Sequence, residues 1–334
     1  MKAVVVQEPG KAMLADIPEP SRGSDETLLQ VRMIGLCGTD LNTFRGKNPL
    51  VTFPRVLGHE VAATILHADN GLQAGTGVTL APYTSCGKCA SCLRGRPNAC
   101  RSNETLGVQR DGALTERIAI PAGKLYGAQL SLKELCLVEP LTVGFHAAKR
   151  GRVTERDTVA VFGCGGVGLG AISAAAFHGA RVIAIDMDDA KLEIARKAGA
   201  SELVHSSNED LHLRLSELTD GRGPDCIIEA IGLAQTFRAS VEEVAFTGRV
   251  VYIGYAKEPV AYETSLFVQK ELDILGSRNA LPEDFLEVIR MLEEGLFPVD
   301  DIVSAVVPIE EAPEMLRQWS ANPAAFTKIM VQVS

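Results

Sequence analysis

The 334-residue sequence predicts an α/β protein in two parts, an irregular β-rich part and a parallel sheet built of βαβ units. Three observations predict it. Short β-rich runs broken by turn residues fill the chain to about residue 146. Strands and helices alternate from about Asp157. A glycine-rich turn, Gly163–Gly168, separates the first strand of that alternation from its first helix.

In the β-rich part, Ala3–Val6, Thr27–Ile34, Val61–Leu66 and Gly77–Ala81 read as strands, punctuated by Pro9-Gly10 and Gly75-Thr76-Gly77. The alternating part then offers strands at Thr158–Phe162, Arg181–Ile185, Glu202–Val204, Asp225–Glu229, Arg249–Ile253 and Leu272–Leu275. Helices are expected between them at Val167–His178, Asp189–Ala198, Glu209–Leu218 and Ala234–Ala245. This rhythm implies crossover connections and a parallel sheet. Beyond Gly276, Pro282–Glu294 is amphipathic, with Phe285, Leu286, Ile289 and Leu292 recurring at helical spacing. Pro308–Trp319 reads as a second helix and Lys328–Val333 as a closing strand. The two chain ends are consistent with one domain interrupted by the α/β unit.

Hydrophobic residues make up 46% and charged residues 22% of the chain, which excludes a disordered protein and a disulfide mini-protein. The formal charge of −9 lacks the basic footprint of a nucleic-acid binder, so no nucleic-acid partner is expected. Thr158–His178 carries no formal charge and is long enough for a membrane span. Glycines at 163, 165, 166, 168 and 170 instead favour a buried strand, a turn and a helix, so no membrane partner is expected either. The first residues carry too short an apolar run for a secretory signal, and a cytoplasmic location is expected.

Four of the eight cysteines, Cys86, Cys89, Cys92 and Cys100, form C-x2-C-x2-C-x7-C. Four thiolates at ~2.3 Å from Zn²⁺ make a closed tetrahedral site, which is structural because it leaves no position for substrate. An iron–sulfur cluster uses the same donors, and disulfides would need an oxidising compartment. Cys136, Cys164 and Cys226 are isolated and read as small buried apolar residues. A more scattered set comprises Cys37, His59, Glu60 and Glu139. One thiolate, one imidazole and one or two carboxylates suit a mixed zinc site. With one position open, such a metal is a Lewis acid toward an alcohol oxygen. Spacing alone leaves a structural cysteine and a core histidine as the alternative.

Gly163, Gly165, Gly166, Val167 and Gly168 belong to a G-x-G-x-x-G element between a strand and a helix. Asp186 ends the next strand, 18 residues after Gly168. That is the full context of a dinucleotide site: tight turn, close approach to the pyrophosphate, and amide donors at a helix start. A carboxylate at 186 accepts from ribose hydroxyls and repels a 2′-phosphate. No arginine adjoins it, so NAD is favoured over NADP, with Lys191 within reach of the same ribose.

Together these elements resemble the zinc-dependent medium-chain alcohol dehydrogenases over essentially the whole chain. The resemblance implies a GroES-like catalytic domain of residues 1–148 and 278–334 with a Rossmann domain, a doubly wound parallel sheet, inserted at 149–277. It implies two zinc ions per chain. Cys37 and His59 would be ligands of the catalytic one, with Glu60 and Glu139 as a ligand or near neighbours. Thr39 matches the residue that takes the substrate hydroxyl proton. Many members carry a histidine five residues after the zinc-binding cysteine, and here Asn42 stands there, which cannot titrate near neutral pH. The relay would then exit by water or the cofactor ribose.

Three segments look like members that oxidise sugar acids such as L-galactonate or L-gulonate: 53–60, 107–112 and 276–280. Arg278, in the last of them, would lie near the nicotinamide, where it would hold a substrate carboxylate bidentately or contact only the cofactor or a metal-bound water. The implied activity is NAD-dependent oxidation of a secondary hydroxyl on a sugar acid or polyol, by a homodimer or homotetramer. The alternatives are an L-threonine or other alcohol dehydrogenase and, more remotely, a non-catalytic dinucleotide-binding protein.

Overall fold

The computed structural model describes residues 1–68 and 71–334. The chain divides into two compact units, one of residues 1–139, 281–293 and 299–334, the other of 140–280 and 294–298.

In the first unit, strand Glu26–Leu36 is the organiser. It alternates between buried and half-buried residues and then becomes continuously buried at its end, as a strand entering the middle of a sheet must. It pairs antiparallel with Glu60–Ile65, with Arg117–Pro121 and with Lys328–Gln332. The last residues of the chain thus lie beside a strand from its beginning, Met330 opposite Gly35. Gly77–Leu80, Leu125–Gly127 and Val303–Pro308 complete this seven-stranded sheet. A smaller one contains Lys2–Glu8, Lys11–Asp16 and Arg55–Val56. Leu29, Ile34, Leu57, Leu80 and Leu114 are fully buried in the core of this unit, together with Leu316 of helix Ala312–Ala321.

The second unit is a six-stranded, wholly parallel sheet in the order Glu202–His205, Arg181–Asp186, Thr158–Phe162, Cys226–Glu229, Arg249–Tyr252, Asp273–Gly276. Numbered within the unit this is 3-2-1-4-5-6, the doubly wound order whose ligand crevice lies where the order reverses, beyond strand Thr158–Phe162. The uncharged run beginning at Thr158 is that strand, a glycine turn and helix Gly166–Phe177. Among the described residues no helix is long and apolar enough to cross a membrane.

The structure departs from the sequence reading at two notable places. Helix Leu132–Arg150 was not expected, because Pro140 stands inside it and removes a backbone donor, which normally argues against a helix. The division between the two units falls inside this helix, after Glu139. Pro308 ends a strand rather than starting a helix. The chain pairs in parallel with Lys328–Gln332 up to that proline, makes a short turn of 3₁₀ helix at Ile309–Glu311, and becomes α-helical only at Ala312.

Candidate active site and metal centres

Cys37 lies at the junction of strand Glu26–Leu36 and the short helix Gly38–Phe44, as its N-cap. Its sulfur accepts from the Thr39 N–H at 3.2 Å, while its own N–H donates to Asp40 Oδ2 at 3.0 Å. These reciprocal bonds fix where the thiol points. His59 precedes strand Glu60–Ile65, and its Nε2 lies 3.1 Å from Cys37 Sγ. Asp40 holds the other side of the histidine: Oδ1 accepts from the Gly58 N–H at 3.1 Å and lies 3.8 Å from His59 Nδ1, a buried nitrogen without a hydrogen-bond partner.

Glu60 faces Gly35 across the sheet, and a side chain at position 35 could not coexist with it, since a Cβ there would lie 2.1 Å from Glu60 Oε2. On the far side of that strand, Lys328 donates to both Glu60 oxygens at 2.7 Å. Both partners are almost fully buried. Glu139 comes from helix Leu132–Arg150 and accepts from the Tyr83 hydroxyl. The ligand atoms of His59, Glu60 and Glu139 lie within 4.8 Å of one another, as do those of Cys37, Asp40 and His59.

Lys328 thus pairs with Glu60 and feels Cys37 and Glu139, while Asp40 stands on the other side, beside His59. Burial alone would lower the His59 pKa, but Cys37, Asp40 and Glu139 outweigh it and favour the imidazolium. Burial likewise opposes the Lys328 ammonium, and Glu60 and Cys37 restore it. A buried site where a sulfur, an imidazole nitrogen and carboxylate oxygens converge fits a divalent cation of zinc's preferences. Asp40 beside His59 is placed as a carboxylate that would orient the histidine were it to bind a metal. Thr39 is half-buried next to the thiol, and Asn42 is exposed on the same helix.

The four-cysteine cluster also converges. Cys89 Sγ lies 3.5 Å from Cys92 Sγ and 3.8 Å from Cys100 Sγ, and all four sulfurs fall within 4.8 Å. Sulfurs at ~2.3 Å from a common centre in a tetrahedron stand roughly 3.8 Å apart, so the cluster fits one metal. All eight cysteines are free, which sets the disulfide alternative aside. The Ser91 hydroxyl and the backbone N–H groups of Cys92 and Arg101 pull the Cys89 thiol down to about 5, favouring a thiolate donor. Cys136, Cys164 and Cys226 are fully buried.

In the second unit, Gly163 through Gly168 form the turn from strand Thr158–Phe162 into helix Gly166–Phe177. The Gly163 N–H donates to Ile185 O at 2.8 Å. A Cβ on Gly168 would lie 1.8 Å from Gly163 O, so only glycine permits this packing. Gly165 is an exposed N-cap with no side-chain cap and open space beside it, a cradle that fits a pyrophosphate. Asp186 accepts from the Cys164 N–H and the Met187 N–H, both at 2.8 Å, which aims its carboxylate at the rim of the turn. Val167 and Lys191 are half-buried on the two helices that follow. Arg278 is exposed just beyond strand Asp273–Gly276.

Two of the three segments resembling sugar-acid oxidising members hold one another. Arg55 Nη1 donates to Asp111 Oδ1 at 3.1 Å, and the Val56 N–H donates to the same oxygen at 3.1 Å. The Ala113 N–H donates to Gly58 O at 2.8 Å. They clasp the chain leading into His59, a positioning role. Sequence reasoning missed Asp40, Tyr83 and Lys328 as members of the site. Asp40 was legible in Cys37-Gly38-Thr39-Asp40 as a cap pattern. Nothing local marks Tyr83 or Lys328, which only the sheet brings near.

Comparison with known proteins places the chain in a family. Residues 23–129 match the alcohol dehydrogenase GroES-like domain and residues 166–294 the zinc-binding dehydrogenase family. The chain is 30% identical to an L-galactonate-5-dehydrogenase of Escherichia coli K12, over 98% of each chain. It is 30% identical to an L-threonine 3-dehydrogenase of Bacillus licheniformis, covering 93% of each. The crystal structure of a short chain alcohol dehydrogenase from E. coli CFT073 complexed with NADH superposes with a TM-score of 0.91 at 27% identity, covering 100% of this chain and 99% of that one. The chain belongs to the zinc-type alcohol dehydrogenase family, with a GroES-like domain and a Rossmann-like parallel sheet. It is an oxidoreductase.

Proposed function

We propose that the protein oxidises a secondary hydroxyl of a sugar acid or polyol with NAD as acceptor. The observation that carries this is the convergence of Cys37, His59, Glu60 and Glu139 in a chain that also builds the Gly163–Gly168 cradle with Asp186 at its rim. Cys37 and His59 would hold the catalytic zinc, with Glu60 or Glu139 beside them, and Cys86, Cys89, Cys92 and Cys100 the structural one. When bound, zinc supplies Lewis acidity toward the substrate hydroxyl, and NAD supplies the hydride acceptor.

The chain's own residues do the rest. Asp40 fixes the histidine ring. Lys328 holds the Glu60 side chain in place by donating to both of its oxygens, and Tyr83 orients Glu139. Thr39 takes the hydroxyl proton, which leaves by water or the ribose because Asn42 cannot titrate. The Asp186 carboxylate favours NAD over the 2′-phosphorylated cofactor. Arg278 would hold a substrate carboxylate or the cofactor. The edge strand Asp273–Gly276, paired on one side and exposing Ile274, supports a homodimer or homotetramer.

An NADH-absorbance screen across aldonates, alditols and amino acids, together with metal analysis, tests the reading. Turnover on an aldonate or alditol with about two zinc ions per chain is expected. Turnover that survives joint replacement of Cys37 and His59 by alanine would overturn it. Oxidation of L-threonine alone would instead support the second reading, which the similarity to an L-threonine 3-dehydrogenase favours.

A further inference from the structure

A small cleft in the first unit, away from the residues assigned above except Tyr83, is lined by Ala81, Pro82, Tyr83, Thr84, Leu106, Arg110, Ile120, Pro121 and Lys124, with a volume of about 40 Å³ open to water. Its two charged residues are both cations. Arg110 and Lys124 are each half-buried, and among the described residues neither side chain forms an ion pair, although the chain as a whole carries a charge of −9. The acids nearby are otherwise engaged or turned outward. Asp111 pairs with Arg55, Glu116 accepts from the Lys2 N–H at 2.8 Å, and Glu104 is exposed.

We propose that this cleft is a binding site for a phosphoryl dianion, held between the Arg110 guanidinium and the Lys124 ammonium. Two cations that share one half-buried cleft repel each other and have lost part of their hydration, so a small dianion relieves both penalties at once. A guanidinium offers a planar fork to phosphate oxygens and an ammonium a point charge. Thr84 accepts from the Glu104 N–H at 2.8 Å and keeps its hydroxyl proton for donation. Burial first, and the Arg110 charge second, lower the Lys124 pKa, as expected for an ammonium still lacking a counter-charge. Arg110 lies in segment 107–112, whose other charged residue, Asp111, is fully accounted for by the clasp around His59. The site is independent of the dehydrogenase reading, since neither cation is among the residues assigned to the metal centres or to the dinucleotide turn.

The test is calorimetric titration of the intact, zinc-loaded protein at fixed ionic strength, first with inorganic phosphate and then with glycerol phosphate. Saturable binding is expected, weakened at least about tenfold in Arg110→Gln and in Lys124→Gln, whereas the charge-preserving R110K and K124R stay within a few-fold of wild type. Tighter binding of the ester identifies an organic phosphate as the natural source, and equal binding identifies free phosphate. Near-ultraviolet circular dichroism of each variant shows that the fold is intact. Absence of saturable binding, or equal binding by wild type and both glutamine variants, overturns the proposal. So does a fall in association state on charge reversal (R110E with K124E) without phosphate binding, which would show that a second copy covers the cleft.

Discussion

Lys328 and Glu60 sit at the end of strand Glu26–Leu36 because Gly35 has no side chain to keep them apart. Each is nearly inaccessible to solvent, so each depends on the other for charge compensation. Breaking such a pair by removing one partner leaves an uncompensated buried charge and costs about 3–5 kcal/mol. Lys328→Met should lose stability of that order in urea unfolding, and adding Glu60→Gln to it should recover part of the loss. If K328M unfolds at the wild-type midpoint, the pair is not what holds this corner. The sequence displays Lys328 as an ordinary charged residue at the start of a strand. Its importance comes from which strands are neighbours, a long-range fact absent from local pattern. Cys37, His59 and the four clustered cysteines were legible because they are among the few residue types able to hold a metal. Asp40 left a local trace as a cap, whereas Tyr83 and Lys328 act through geometry alone and leave none.

At the scale of elements, the zinc-lobe segment 86–101 contains two helical turns of only a few residues each, Ala90–Leu93 and Pro97–Ala99. Neither buries an apolar side chain of its own, so on the proposed reading a metal held by the four cysteines is what orders the loop. Lys88, Arg94, Arg96 and Arg101 lie within it. Chelation should therefore open this segment to trypsin while cleavage elsewhere stays slow, and re-addition of zinc should restore resistance, as read by mass spectrometry of the fragments.

In the second unit, Arg249 fastens the end of helix Leu132–Arg150 to the sheet by donating to Gly151 O at 2.8 Å and to Arg152 O at 3.0 Å, while pairing with Asp157. Burial alone would raise the Asp157 carboxyl, but the Arg249 hydrogen bond and the Thr154 N–H outweigh it and hold its pKa below 3.8. The stabilisation is therefore complete above the unfolded carboxylate value and is lost as pH falls toward the folded one. Below about pH 4 the wild type should lose stability more steeply than Asp157→Asn, and identical acid limbs in the two would contradict this. The alternating strands and helices of this unit could be read from sequence because each is a local hydrophobic pattern. Helix Leu132–Arg150 could not, since its proline argues the other way and tertiary packing decides.

For the whole molecule, the division into units is not sequential. Strand Lys328–Gln332 lies between Glu26–Leu36 and Val303–Pro308, so it joins the beginning of the first unit to its end. A chain stopping at residue 326 should keep slow amide exchange in the six-stranded sheet of the second unit. Amides of residues 33–36 and of Val303–Pro308 should exchange quickly, and protection at both places would refute this division of labour. Sequence periodicity marked the parallel sheet and its glycine turn. The pairing of the two chain ends rests on a register between distant strands, which no window of residues contains.

That arrangement orders events on the ribosome. The parallel sheet has emerged in full while the last strand of the first unit is still inside the exit tunnel. Glu60 meets the Lys328 ammonium only after the whole parallel sheet has been made, so its carboxylate waits for that partner through the synthesis of the second unit.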